Sequence, residues 1–404
     1  MTGAGGRGGW EALSGSGSLE RLHAATATTT SPRDNVRIVP MNHESTLPSL
    51  RSHEPRPTGR GRLLANVRSH TFQPFLLGLV LAGCSREHDP APRVRPRFSH
   101  LLDVARFQRG NLHTHTNASD GDAPPAEVIG WYKTHGYAFV AITDHNILTD
   151  PSRYAALQGP DFVVIPGEEI SMWVTGKQVH VNALCTRAPI AGGEFVTAKS
   201  ALQAAVRNVR EQDGVAVVNH PNFDWALGQD DVLAVAGSAQ LLEIASGHPY
   251  VHSQGDAAHP SHEALWDSAL TAGSDVMGVA VDDVHHVRAS ADPPAFPGVA
   301  WVEVFATSPD PEQICQALHW GELYSSTGPA LRRIRVTDQA YAIDVLGEAD
   351  SIEFIGEHGR QLELHEHPTA LVTYRLHGDE GYVRARIKSG VTAAWTPAIR
   401  VTLD

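Results

Sequence analysis

Two histidines in GNLHTHTNASDGD, His113 and His115, introduce the chemistry of this chain, and Asp120 stands in the same stretch. In an extended segment, residues i and i+2 point to the same side, so both imidazoles can face one ion. Imidazole nitrogen suits zinc, iron or manganese, and the carboxylate adds a hard anionic oxygen. A histidine pair of this kind arises often by chance, so its weight depends on the company it keeps along the chain. His145 stands in TDHN, Glu168 and Glu169 in PGEEIS, His180 in QVHVNALC, His220 in VVNHP, and Asp283 with His285 in VAVDDVHH. Of the last group, Asp282 and His286 are the out-of-phase neighbours. One of the two adjacent glutamates should face the site and the other should face away.

These residues share an architectural position. Pro124 and Pro125 open a helical pattern, PPAEVIGWYKTHG, which Gly136 closes. The buried-strand pattern YAFVAIT comes next and runs into Asp144-His145-Asn146, which completes a strand, helix, strand unit. FVVIP, QVHVNAL, VAVVN, LLEIAS and VMGVAV read as further strands, with helical patterns at 196–213 and 261–272 between some of them. WVEVF reads as a last strand of this series, DPEQICQALHWG as a last helix and YSSTGP as an exit turn. Ligands gathered at strand ends are what an α/β barrel offers, because its loops converge on one face. Glu243, near the end of LLEIASG, reads either as an outer carboxylate supporting a ligand or as a salt-bridge partner of a helix. His248, His252, His259 and His262 fall in the loop SGHPYVHSQGDAAHPSHE and are expected mainly as solvated rim histidines. His248 among them is a candidate proton donor to a leaving group.

The chain has 404 residues, a net charge of −13 and 23 histidines, with 42% apolar and 19% charged residues. It is therefore globular, and the acidic balance argues against general nucleic-acid binding, which needs a basic footprint. Cys84, Cys185 and Cys315 form no CxxC spacing, and the last two are expected as buried core thiols. Residues 1–84 read as a polar leader ending in an apolar run, Phe75 to Gly83, too short to span a bilayer. Leu81-Ala82-Gly83-Cys84 resembles a bacterial lipobox, which implies export and lipid anchoring at Cys84 in the periplasm or at the outer membrane. A leader reaching from Met1 to Cys84 is long for such a signal, so translation is expected to start at Met41 or later. Residues 85–106 are expected as a linker, 107–330 as the catalytic barrel and 331–404 as a separate β-domain.

Taken in order, HTH, SDG, TDH, PGEEIS, VH, NHP and DDVH resemble the PHP (polymerase and histidinol phosphatase) superfamily. The resemblance implies a distorted (β/α)7 barrel holding two or three divalent ions, manganese, zinc or iron. It implies one ion on His113, His115, Glu169 and Asp283, and a second on Glu169, His180 and His220. A third would sit on Asp120, His145 and His285. Glu169 rather than Glu168 fits the family's Gly-x-Glu pattern from Gly167, and VDDVH departs from the family's usual ending while keeping its DxH core. The tail alternates apolar and polar residues with frequent turns, as a small antiparallel β-sandwich does. Its ending, YVRARI with AAWTPAIRV, resembles the β-domain of carbaryl-hydrolase-like PHP proteins.

The implied chemistry is metal-dependent hydrolysis of a small-molecule substrate with metal-bound hydroxide as nucleophile, His145, Glu169, Asp283 and His285 being the residues closest to it. No GxSxG elbow competes for that role. A phosphoester is the first expectation. A carboxylic or carbamate ester is the second, favoured by the tail and by the lack of an obvious phosphate clamp beyond Lys177 and Arg288. An exported metal- or ligand-binding protein without turnover is the alternative from outside enzymes.

Overall fold

A computed structural model describes residues 92–95, 103–288 and 295–403. The lipobox-like tetrapeptide, the apolar run before it and the rest of the leader lie outside the described residues. Among the described residues, no helix is long and apolar enough to cross a membrane.

The fold is mixed α/β. Strands Gln108–Asn111, Phe139–Ala141 and Val163–Ile165 lie side by side and parallel. The helix between the first two, Pro125–Thr134, starts with proline, whose missing N–H costs nothing in a first turn, and turns out of the helix at His135 and Gly136. A second sheet takes Met277–Val281, Leu241–Ser246 and Val215–Val218 in parallel. It continues antiparallel through Lys177–Leu184 and Gly167–Val174. Helices Ala198–Arg210, Gln229–Ala236 and His262–Thr271 connect these strands. Ala201, Leu202, Ala205, Val206 and Val209 form the buried stripe of the first of them, and Thr197 caps it by accepting from the Ser200 N–H.

The two sheets touch just beyond the ends of the neighbouring strands Gln108–Asn111 and Phe139–Ala141. Thr114 bridges to Val284, and His145 bridges to Glu169, each in parallel sense. Both contacts are made by residues in or beside the predicted ligand motifs, so the ligands lie where the sheets join.

Beyond residue 300 the strands turn antiparallel. Trp301–Val304 pairs antiparallel with Gln108–Asn111 on one side and with Leu323–Ser326 on the other. It is thus the strand through which the sheet passes from the α/β part into the C-terminal strands, rather than one more parallel strand. Part of YSSTGP, expected as a turn, is the strand Leu323–Ser326, which pairs onward with Thr392–Trp395. One C-terminal sheet contains Ala330–Val336, Ala340–Leu346 and Val372–Arg375. The other contains Ser351–Gly356, Arg360–Glu366, Gly381–Ser389 and Ile399–Leu403. Ile334, Tyr341 and Ile343 from the first meet Ile352, Phe354, Val383 and Ile387 from the second in one apolar cluster.

Two expectations are corrected here. The segment 85–106 is not all tether: Pro92–Arg95 pairs with Ile399–Leu403, and Asp103–Val104 pairs with Ile334 and Arg335. Backbone pairing with exposed strand edges does not need the apolar alternation by which a strand is recognised in sequence. Cys185 and Cys315 are not separate thiols but a disulfide, with Cα atoms 6.0 Å apart across 130 residues. The fold brings the end of Lys177–Leu184 to the helix Pro311–Trp320, a proximity with no local signature.

The helix His262–Thr271 is clamped to the C-terminal sheet by a buried ion network. Arg384, 1% exposed, donates through Nε to Asp267 Oδ1 at 2.8 Å and through Nη2 to Asp267 Oδ2 at 2.7 Å. The same Nη2 lies 2.8 Å from Glu263 Oε1, and the Tyr382 hydroxyl donates to Asp267 at 2.6 Å. Replacing Arg384 with Met would leave the buried Asp267 without its counter-ion, while Glu263 keeps Arg386 at 3.0 Å. The expected loss is about 3–5 kcal/mol of stability, to be read from urea unfolding of the variant and the parent at pH 7.

Candidate metal centre

The site is built around one carboxylate. Glu169 is fully buried, and five imidazoles reach it: His180 Nδ1 at 2.9 Å, His145 Nδ1 at 3.1 Å, His113 Nε2 and His115 Nε2 at 3.2 Å, and His220 Nε2 at 3.4 Å. Asp283 Oδ1 lies 3.3 Å from His113 Nε2 and 3.4 Å from His115 Nε2. Asp120 Oδ2 closes the outer side, 3.4 Å from His145 Nε2 and 3.3 Å from His285 Nε2. All residues expected as ligands are therefore brought together. Glu168 points elsewhere and accepts the Ile190 N–H at 2.7 Å, as the period of two in a strand requires of its neighbour.

Local backbone explains how each ligand is aimed. His113 and His115 extend the strand that starts at Gln108, and His115 N–H donates to the Val284 carbonyl. The loop with Asp120 is pinned by Asp144, which accepts from Thr116 N–H, Thr116 Oγ1 and Ser119 Oγ. Gly121 is required there, since a Cβ would lie 2.9 Å from the His115 carbonyl. Asp283 adopts φ 50°, a region costly for a residue with a Cβ, and its N–H donates to the His113 carbonyl. Asp282 faces away and takes the Tyr132 hydroxyl and the N–H groups of Gly298, Val299 and Ala300.

Further polar groups orient the ligands from behind. Glu243 Oε1 lies 2.7 Å from His113 Nδ1, and its Oε2 accepts the His220 N–H at 2.8 Å. Of the two readings left open for Glu243, the structure selects support of the site. With the Nδ1 proton held by Glu243, the Nε2 lone pair of His113 is free to face the centre. Ser171 Oγ lies 2.7 Å from His145 Nδ1, and Asn219 Nδ2 donates to Glu169 Oε1 at 2.8 Å and to Asn182 Oδ1 at 2.9 Å. Sequence reasoning missed Ser171, Asn182 and Asn219. Asn219 carried a signal by standing directly before His220, whereas Asn182 and Ser171 carried only their strand phase.

The electrostatics are those of a cation site. Burial opposes a charge on His113, but Asp283, Glu169 and Glu243 together hold its pKa well above the ordinary value. Burial likewise opposes a charge on His115, and hydrogen bonds to Asp283 and Glu169 outweigh it, raising the ring to about 9. For His180 burial prevails over Glu169, and the pKa falls. Glu169 and Asp283 are both held well below the usual carboxylate range by the surrounding histidines, against their burial. His113 Nε2 and His115 Nε2 sit 3.1 Å apart, and the close approaches at Glu169 Oε2 and at both ring nitrogens of His180 lack good hydrogen-bond geometry. Ring nitrogens and carboxylate oxygens crowded toward one another at this spacing are a donor set that suits divalent cations. Four overlapping groups of donors could hold them: His113, Glu169 and His220; His113, His115 and Asp283; His115, Asp120 and His145; His145, Glu169 and His180. These groups cross the three-ion division implied by the sequence motifs, since His113, His115 and His145 each belong to two of them.

The centre opens into a cavity of about 240 Å³ whose walls also include Gln178, Phe223, His248 and Tyr250. Burial holds His248 down, to about 4. A lowered pKa disfavours the proton-donor role expected for it. Of the other rim histidines, His262 departs from the solvated picture: it is fully buried and accepts the Asn222 N–H. His252 and His259 keep solvent exposure and stack on Trp225 at 4.7 and 4.0 Å.

No protein-family model matches the chain, and no curated protein matches it. Among solved structures, the chain is similar to a two-domain protein from Bacteroides vulgatus containing a predicted PHP-like metal-dependent phosphoesterase. That similarity has 14% identity, covers 71% of this chain and 93% of the other, and has a TM-score of 0.41. It is also similar to an amidohydrolase from Chromobacterium violaceum with bound sulfate and no metal, at 21% identity, over 44% of this chain and 87% of the other, with a TM-score of 0.32.

This geometry sets two expected outcomes. Glu243→Gln should weaken zinc binding by roughly 10- to 100-fold while leaving the fold intact, as measured by competition with a chromogenic chelator. Metal uptake at pH 7 should release protons, because His113 and His115 are raised above their ordinary values and must give up protons to bind. A pH indicator reads the release, and metal retention should fall as pH is lowered from about 8 to about 6.

Proposed function

We propose that this protein is a metal-dependent hydrolase of an ester bond, with the site on a distorted (β/α)7 barrel of PHP type and a β-sandwich appended. The observation that carries the reading is the buried Glu169 carboxylate in reach of five imidazoles, with Asp283 and Asp120 beside them. The sheet contacts at Thr114 with Val284 and at His145 with Glu169 support the barrel reading, because they bring strand ends of the two sheets together at two points. Two packed antiparallel sheets support the sandwich.

Two or three divalent ions, manganese, zinc or iron, would be held by His113, His115, Asp120, His145, Glu169, His180, His220, Asp283 and His285. When bound they would supply Lewis acidity and a water of lowered pKa. The chain's own residues position the rest. Glu169, locked by Asn219, fixes the spacing of the donors around it. Ser171 sets the ring of His145, and Glu243 sets that of His113. His285 and His248, with ring centroids 5.0 Å apart, flank the cavity where a substrate enters. A phosphoester is the first substrate to test. A second reading, a carboxylic or carbamate ester, is favoured by the cavity wall itself: among the described residues that line it there is no lysine or arginine. Arg288 is engaged by Glu127 at 2.8 Å, and Lys177 by the Trp225 carbonyl at 3.0 Å.

Export and lipid anchoring at Cys84 remain our proposal from the LAGC motif. The disulfide between Cys185 and Cys315 supports it, since such bonds persist in oxidising compartments.

The test is turnover by residues 85–404 after metal removal and reconstitution with manganese or zinc. The probes are p-nitrophenyl phosphate, bis(p-nitrophenyl) phosphate, p-nitrophenyl acetate and an aryl carbamate. The expected outcome is hydrolysis that disappears on chelation, returns with metal, and falls at least about 100-fold in His145→Ala. Metal binding with no turnover on any probe would instead support a protein that only binds.

A further inference from the structure

Resting on the hydrolase reading of the site, we propose that the mouth of the cavity is an aromatic recognition wall, formed by Trp173, Phe223 and Tyr250. It would select substrates that carry a flat apolar group beside the scissile bond. The inference starts from strand register. In the hairpin of Gly167–Val174 with Lys177–Leu184, Ser171 stands opposite His180 and Trp173 opposite Gln178. Directly opposed residues of an antiparallel pair share a face of the sheet. Glu169, Ser171 and Trp173 therefore form one row. The first is the centre of the metal site, the second holds His145, and the third stands at its outer end next to the cavity-lining Gln178.

Trp173 is 45% exposed and Tyr250 53% exposed, so both rings are open to contact with a ligand. Phe223, half-buried, bridges the row to the metal ligands. Its ring lies 5.2 Å from that of His220 and 6.2 Å from that of His180.

The rim is also preorganised. Trp225 stacks with both His252 and His259, and Asn222 donates to the carbonyls of His252 and Pro260 at 3.1 and 2.9 Å. The loop carrying His248 and Tyr250 is thereby tied to the segment carrying Phe223. A rigid aromatic face with no cationic side chain in the cavity recognises a flat neutral group, not an additional charge.

The test does not need turnover. Phenylphosphonate and methylphosphonate would be titrated into the manganese-loaded protein by calorimetry, with phenylacetate and acetate as a second pair. The phenyl member of each pair should bind about tenfold more tightly. That advantage should shrink at least about threefold in Trp173→Ala and in Tyr250→Ala, with the metal content of both unchanged, and should survive in Trp173→Phe. Equal affinity for the phenyl and methyl ligands, or an advantage untouched by both alanine variants, would overturn the proposal. Failure of the hydrolase reading would show separately, as absent turnover in a protein that still prefers phenylphosphonate.

Discussion

A carboxylate taken fully out of water must be compensated by charge or hydrogen bonds, and the burial of Glu169 is the constraint around which this chain is arranged. The compensation it receives is of an unusual kind. One firm donor, Asn219, serves it, and the other neighbours are imidazole nitrogens that are themselves buried and competing for protons. Neutral rings would turn lone pairs against the carboxylate. Fully protonated rings would crowd several positive charges into a dry space. Neither arrangement satisfies every atom, and the poor hydrogen-bond geometry at the nitrogens of His180 is where the mismatch shows. Divalent cations held by these donors would remove it by supplying the positive charge that the buried carboxylates and ring nitrogens lack.

Much of the surrounding structure serves to hold this arrangement against its own repulsions. Glu243 spans two ligands, fixing the ring of His113 and the backbone of His220 with its two oxygens. Asn182 fixes Asn219 and donates to the Leu112 carbonyl at 3.0 Å, so the strand carrying His113 and the strand carrying His180 share one hydrogen-bond network. The strained φ of Asp283 belongs to the same logic. Its N–H is tied to His113, and the bend places its carboxylate between His113 and His115. Removal of any one support would loosen a ligand that the others cannot re-aim.

The ligand residues were legible in the sequence because metal chemistry restricts residue type and strand geometry restricts phase. His113 with His115 and Asp283 with His285 gain their weight from one another and from the other ligand motifs, and the choice of Glu169 over Glu168 came from the resemblance's Gly-x-Glu pattern, not from strand phase. Four helices were legible for similar local reasons, proline at Pro125 and a left-handed Gly321 marking two of their ends, whereas the short helix Gln229–Ala236 was not expected. What was not legible depends on distant partners. The bond between Cys185 and Cys315, the pairing of Pro92–Arg95 with the last strand and the burial of His262 are set by contacts between segments far apart in the chain. Antiparallel placement of Trp301–Val304 was hidden likewise, since an apolar strand pattern does not encode its direction.

The C-terminal sheets are more than an appendage to the site. The helix His262–Thr271 has two faces with different obligations. At its start, His262 accepts the Asn222 N–H, which braces the turn just after His220. Farther along, Glu263 and Asp267 face Arg384 and Arg386 of the strand Gly381–Ser389. Burial would push the Glu263 carboxyl up, but the two guanidinium groups hold it below its ordinary value, so the charged network is the state the fold favours. Buried ion pairs of this sort add little net stability compared with apolar packing, yet they tolerate few alternative placements. Bidentate geometry at Asp267 fixes the helix along and around its axis more tightly than a greasy contact would. The consequence runs from the last strands of the chain, through one helix, to the backbone beside a ligand, and it gives the C-terminal sheets a part in setting the metal centre.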